Sequence, residues 1–152
     1  MPQDLLDKWR IEAKTDAAFR RRVERFLDSG FGECWLKEEE VATMVQNSLL
    51  FHHEKKYRLN AWVVMPNHAH VLLTPLSGNH LDTILHSIKS YTAHEANKML
   101  GRTGQFWQPE SFDRYIRNEK HFAAVVRYIH QNPVKARFCK ESKDWKYSSA
   151  RQ

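Results

Sequence analysis

Two β-rich apolar runs on either side of Pro66-Asn67 constrain this chain more than any other stretch of it. They cover residues 57–65 and 68–74. Each has the length of a strand, and each is rich in Val, Leu or aromatic residues. The Pro-Asn pair between them reads as a tight turn, so the runs fold back on each other as a hairpin. Side chains alternate faces along a strand. In Asn67-His68-Ala69-His70, His68 and His70 therefore point one way and Ala69 the other. Two imidazoles side by side on a strand of Val and Leu are half of a metal site. The plainer alternative is a wet sheet face with two solvated histidines.

The pattern around the hairpin is α+β with an antiparallel sheet. Residues 3–28 read as an amphipathic helix built on Leu5, Leu6, Trp9, Phe19, Val23, Phe26 and Leu27. Ser29-Gly30-Phe31-Gly32 ends it. Residues 33–36 are a short candidate strand. Residues 37–55 form a second helix, with Val41, Met44, Val45 and Leu49 at helical spacing. A third helix carries Leu81, Ile84, Leu85, Ile88, Thr92 and Met99 and ends near Gly101. A further strand lies within residues 104–115. Asn118 caps a fourth helix that stops near Asn132, because Pro133 disfavours helix at the residue before it. The length suits a single domain over 1–152: a helical N-terminal extension (1–30) and a core (31–152) with a basic C-terminal segment.

Charge is unevenly spread. Residues 1–113 carry 14 Lys/Arg against 15 Asp/Glu, whereas residues 114–152 carry 10 against 3. A basic terminal quarter suits a polyanion, nucleic acid foremost, and is equally the pattern of a well-solvated tail. The longest apolar runs are far too short to span a bilayer. No basic region followed by an apolar stretch opens the chain, so a cytoplasmic, nucleoid-associated protein is expected. Cys34 and Cys139 lie far apart without metal-type spacing and read as free thiols.

On the fourth helix His121, Tyr128 and Asn132 fall in a stripe along one edge of the apolar face made by Phe122, Val125, Val126 and Ile129. Tyr128 and Asn132 are i and i+4, so they are neighbours. Spacing alone reads them as an edge residue and a helix stop. A tyrosine nucleophile and an amide oxygen ligand delivered together is the functional alternative.

Val64-Met65-Pro66-Asn67-His68-Ala69-His70 and Tyr128-Ile129-His130-Gln131-Asn132-Pro133-Val134-Lys135-Ala136 together closely resemble the single-tyrosine HUH transposases (the IS200-like transposase domain). Within them the chain looks most like the REP-associated tyrosine transposases. Ile88-Lys89-Ser90-Tyr91-Thr92, the aromatic stretch from Phe106 to Arg117, and Trp145-Lys146-Tyr147-Ser148-Ser149-Ala150 support the likeness, which runs from about residue 32 to the C-terminus.

The resemblance implies a ferredoxin-like (RRM-like) antiparallel sheet with helices on one face and a C-terminal helix carrying the tyrosine. It also implies a metal-dependent transposase and single-strand endonuclease. Such an enzyme cleaves and rejoins hairpin-associated repetitive DNA through a 5′-phosphotyrosine intermediate. By carry-over, Tyr128 is the nucleophile, and His68, His70 and Asn132 hold Mg²⁺ or Mn²⁺. The partner is single-stranded or hairpin DNA, and the protein is expected to be a monomer, with a dimer the alternative. Arg114, Arg117, Lys135, Arg137 and Lys146 are candidate DNA contacts from the basic segment. The family fold begins with a strand inside the sheet. With residues 3–28 read as helix, that strand is missing and a marginally stable fold is expected. The alternatives are a domesticated or truncated protein that binds structured single strands without cutting, and a metal-dependent phosphohydrolase of small substrates.

Overall fold

The computed structural model describes residues 23–28, 34–108 and 112–151. Four strands form one antiparallel sheet: β1 (Val23–Asp28), β2 (Tyr57–Val64), β3 (His68–Pro75) and β4 (Phe112–Tyr115). Their spatial order is β2-β3-β1-β4. Helix α1 (Glu39–Phe51) links β1 to β2, α2 (Leu81–Leu100) links β3 to β4, and α3 (Glu119–Lys135) follows β4. The βαββαβ order with this strand order is the ferredoxin-like arrangement expected.

The first strand is present, which corrects the sequence reading twice. Residues 23–28 are strand where a helix was expected, and the core therefore begins before residue 31. The helix expected over residues 3–22 lies outside the described residues. β1 sits between β3 and β4, with Leu27 opposite Ala69 and Val23 opposite Leu73 and Tyr115. Val23, Phe26 and Leu27 fit a helical period and a strand almost equally well over so short a window. Pairing with two neighbours decides the matter, because a gap there would leave both ladders unpaired. Residues 35–37, overlapping the short candidate strand of residues 33–36, form a turn of 3₁₀ helix instead.

Parity along β2 and β3 divides the core. Leu59, Trp62 and Val64 on β2, with Ala69, Val71 and Leu73 on β3, turn toward α1 and α2 and pack there on Val45, Leu49, Ile84, Leu85 and Ile88. Ala61, Val63 and Leu72 turn to the other face, where α3 covers them with Val125 and Ile129. A bulge between Leu59 and Ala61 keeps both sets in phase. Burying each large apolar side chain contributes about 1.5–3 kcal/mol, so this division fixes which side of β3 faces which helix.

The outer edge of β2 is covered by the C-terminal segment. The Val64 N–H donates to the Tyr147 carbonyl (2.8 Å), Trp145 Nε1 donates to the Val64 carbonyl (2.9 Å), and the Trp62 N–H donates to Ser149 Oγ (3.0 Å). Ser148 is buried opposite Val63. Ladder groups that would otherwise be open to another strand are thereby satisfied.

Helix α3 starts as expected, with the Asn118 side chain accepting from the His121 N–H (2.9 Å). It runs past the expected stop to Lys135 and includes Pro133. In the last turn a proline removes only one hydrogen bond, and the end is closed by other means. The Phe138 N–H reaches the Pro133 carbonyl (2.9 Å) and the Arg137 N–H reaches that of Val134 (3.0 Å). This closure holds Arg137 at φ 65°, a conformation that glycine adopts more cheaply. No helix among the described residues is long and apolar enough to cross a membrane.

Candidate active site

The hairpin turn delivers the histidines. His68 and His70 lie at the start of β3 on the α3 side, with ring centroids 5.1 Å apart and ring planes nearly perpendicular. His70 is 4% exposed, and His68 is half-buried. His68 Nδ1 contacts Asn67 Oδ1 at 2.7 Å. A proton on Nδ1 satisfies that contact and leaves Nε2 as the unprotonated ring nitrogen, the tautomer in which a histidine could bind a metal through Nε2.

Helix α3 brings the tyrosine to them. The Tyr128 ring stands edge-on to His70, with centroids 5.2 Å apart, and the residue is 42% exposed. Sequence motifs far apart along the chain thus meet in one place. Asn132 follows one turn after Tyr128 and is half-buried. Among the described residues no group of three His, Cys, Asp or Glu side chains is placed to hold a metal. Of the described side chains on α3, Asn132 offers a neutral amide oxygen one turn beyond Tyr128.

Lys135 Nζ lies 5.7 Å from the Tyr128 ring centroid, so this expected DNA contact is also part of the tyrosine's surroundings. Arg114 is exposed on β4. It pairs in register with Glu24, which pairs with Leu72, so Arg114 stands on the same sheet face as His70. Arg117 and Arg137 are exposed near the two ends of α3. The Lys146 ammonium is paired with Glu39. That pairing holds the Glu39 carboxyl below its ordinary pKa and Lys146 above its own. His121 belongs to the start of α3, where its Nδ1 accepts from the Arg117 N–H (3.1 Å).

Sequence reasoning did not single out His130 or Ser149. His130 Nε2 and Ser149 Oγ are 2.7 Å apart, and burial holds the His130 pKa below the ordinary histidine value. The signal was the Ser148-Ser149 pair, whose role depends on a contact between distant segments. The large concavity between α1 and α2, lined by Met44, Phe51, Ile88 and Tyr91, lies on the opposite side of the sheet from the histidine pair.

A family model described as transposase, IS200-like, matches residues 35–132. The chain is 32% identical to the REP-associated tyrosine transposase of Escherichia coli K12 over 97 residues, covering 63% of this chain and 56% of that protein. It is 29% identical to a putative REP-associated tyrosine transposase of Haemophilus influenzae over 96 residues, covering 57% of this chain and 54% of that one. These matches span about half the length of the relatives. Among solved structures, a REP-associated tyrosine transposase bound to a REP hairpin superposes with a TM-score of 0.69, at 24% identity, over 86% of this chain and 76% of its own. A putative transposase from Deinococcus radiodurans gives 0.51 at 15% identity, over 72% and 88%. At these identities the superpositions establish the fold.

Proposed function

The chain belongs to the IS200-like transposase family, and from that membership we propose that it is a DNA strand transferase whose nucleophile is Tyr128. The observation that carries the reading is the edge contact of Tyr128 with His70. It joins the only tyrosine followed one turn later by Asn132 to the His-x-His strand.

In this reading Tyr128 Oη attacks the scissile phosphorus of a single strand. A P–O bond to the tyrosine forms as the bond to the 3′ oxygen breaks. The upstream strand leaves as a free 3′-hydroxyl, and the downstream strand stays as a 5′-phosphotyrosine. The phosphodiester linkage is conserved, so a 3′-hydroxyl can reverse the attack and rejoin a strand without a nucleotide cofactor. A free phenol has a pKa near 10 and is a weak nucleophile at neutral pH. His68, His70 and Asn132 would hold Mg²⁺ or Mn²⁺, which supplies charge stabilisation at the phosphate. Asn67 orients His68, and Lys135 and Arg114 supply positive charge on the same face. Single-stranded DNA with a hairpin is the proposed partner. Tyr128 and both histidines come from one chain, which supports a self-sufficient monomer.

The test is a labelled hairpin oligonucleotide incubated with the protein and Mg²⁺, then run under denaturing conditions. A 3′-end label should remain on the protein and a 5′-end label should not. Tyr128→Phe should abolish the adduct while leaving DNA binding intact. Binding without any adduct in the wild type would favour the non-cutting, structured-DNA-binding alternative.

A further inference from the structure

Ile129 of α3 is fully buried against the sheet. Tyr128 and His130 lie about 100° to either side of it. One flank faces inward over β3 and carries the contact with His70. The other faces the outer edge of β2, where His130 Nε2 meets Ser149 Oγ at 2.7 Å. Ser149 is itself fastened to the sheet, accepting from the Trp62 N–H (3.0 Å) and donating to the Trp62 carbonyl (3.3 Å). Its single proton is then used, so the remaining lone pair takes a proton from His130 Nε2.

We propose that His130 and Ser149 are positioning residues. Their hydrogen bond fixes the roll of α3 about its axis and so sets where Tyr128 presents its hydroxyl to the histidine pair. The inference rests on Tyr128 being the nucleophile.

The apolar face of α3 cannot do this alone. Val125 and Ile129 hold the helix on the sheet through contacts that have no preferred direction and tolerate a roll of several degrees. A hydrogen bond weakens steeply with angle. Tyr128 is nearly half exposed, so its own packing fixes it loosely. The outer flank is the side on which the sheet can hold α3 without covering the reacting face. Trp145 and Tyr147 anchor the segment that carries Ser149 to Val64, one residue from Val63, the register partner of His70. The latch and the reacting ring are thus referred to the same stretch of the hairpin.

The test uses the full chain with single-turnover adduct formation at saturating DNA. His130→Ala and Ser149→Ala should each slow the covalent step about ten- to hundred-fold, the usual consequence of misplacing a reacting group by roughly an ångström. The DNA concentration for half-saturation should stay within about two-fold, and the double variant should be no slower than the worse single one. His130→Gln, which keeps an Nε2 donor, should recover most of the rate. NMR gives a reading independent of chemistry. The Tyr128 ring shifts the His70 ring protons, and that shift should shrink in His130→Ala and Ser149→Ala and return in His130→Gln. A covalent rate within about two-fold of wild type in both alanine variants overturns the proposal, as do unchanged His70 shifts. If His130→Ala does not fold, Ser149→Ala and His130→Gln decide. If the wild type forms no adduct, the nucleophile assignment falls and the His70 shifts alone judge the latch.

Discussion

β3 serves two surfaces with one run of eight residues. Ala69, Val71 and Leu73 face α1 and α2 and are buried among apolar neighbours, while His68, His70 and Leu72 face α3, and only part of that face is apolar. On the first face each residue contributes through transfer from water. On the second, two imidazoles sit among apolar residues beneath a helix, where the proposed function gives them other work. The two are not independent. A slip of one residue in β3 would exchange the faces, exposing Val71 and Leu73 and driving the histidines under α1 and α2. The apolar face therefore enforces the position of the polar one, and a site with little packing of its own inherits its precision from the core behind it.

The sharpest break between the faces should come from His68→Ala. We expect loss of strand cleavage by at least about a hundred-fold, the scale of effect when catalytic electrostatics are removed, with little change in melting temperature, checked by adduct formation and calorimetry. Cleavage by both His68→Ala and His70→Ala at the wild-type rate would end the metal assignment. Leu73→Ala on the opposite face should do the reverse. It should cost about 2–5 kcal/mol of stability in a denaturant titration and leave the rate per folded molecule unaltered.

A smaller effect separates the cations. Arg114→Ala with Lys135→Ala should weaken single-strand binding and lower the slope of log K against log salt by roughly 0.7 for each phosphate no longer neutralised. Lys146→Ala should change it far less, because Glu39 already offsets that charge. Equal effects from all three would mean that the DNA path does not follow the histidine face.

The smallest effect belongs wholly to the apolar side. Tyr57 is buried, its hydroxyl donates to the Leu49 carbonyl, and burial pushes its pKa up to about 12. The fold prefers the neutral phenol, so this contribution is intact below about pH 10 and is lost as pH rises toward about 12. Ultraviolet titration should find one tyrosine ionising late and together with unfolding, and Tyr57→Phe should remove that step.

What could be read from the sequence follows the same division. The hairpin, the second and third helices, the Asn118 cap and the pairing of His68 with His70 all depend on local periodicity, and the structure bears each of them out. The meeting of Tyr128 with His70 was legible only because two motifs were read together. β1 was missed because a short window with Val23, Phe26 and Leu27 satisfies either period, and only partners far along the chain choose between them. The extension of α3 through Pro133 was missed for a related reason, since its closing bonds come from Arg137 and Phe138 beyond the apparent stop. The His130–Ser149 contact has no local signature at all.

β1 also sets a timetable for synthesis. Its two neighbours are β3 and β4, and β4 lies in the last third of the chain. On a ribosome β1 emerges before either neighbour and can find β3 once the hairpin is out, but its other flank stays open until β4 arrives. Throughout that interval the growing chain carries an exposed strand edge, the condition under which nascent chains pair with one another. The rate of translation between β3 and β4 should therefore govern how much of this protein escapes aggregation, and a pause placed within α2 should lower the soluble yield without altering a single residue.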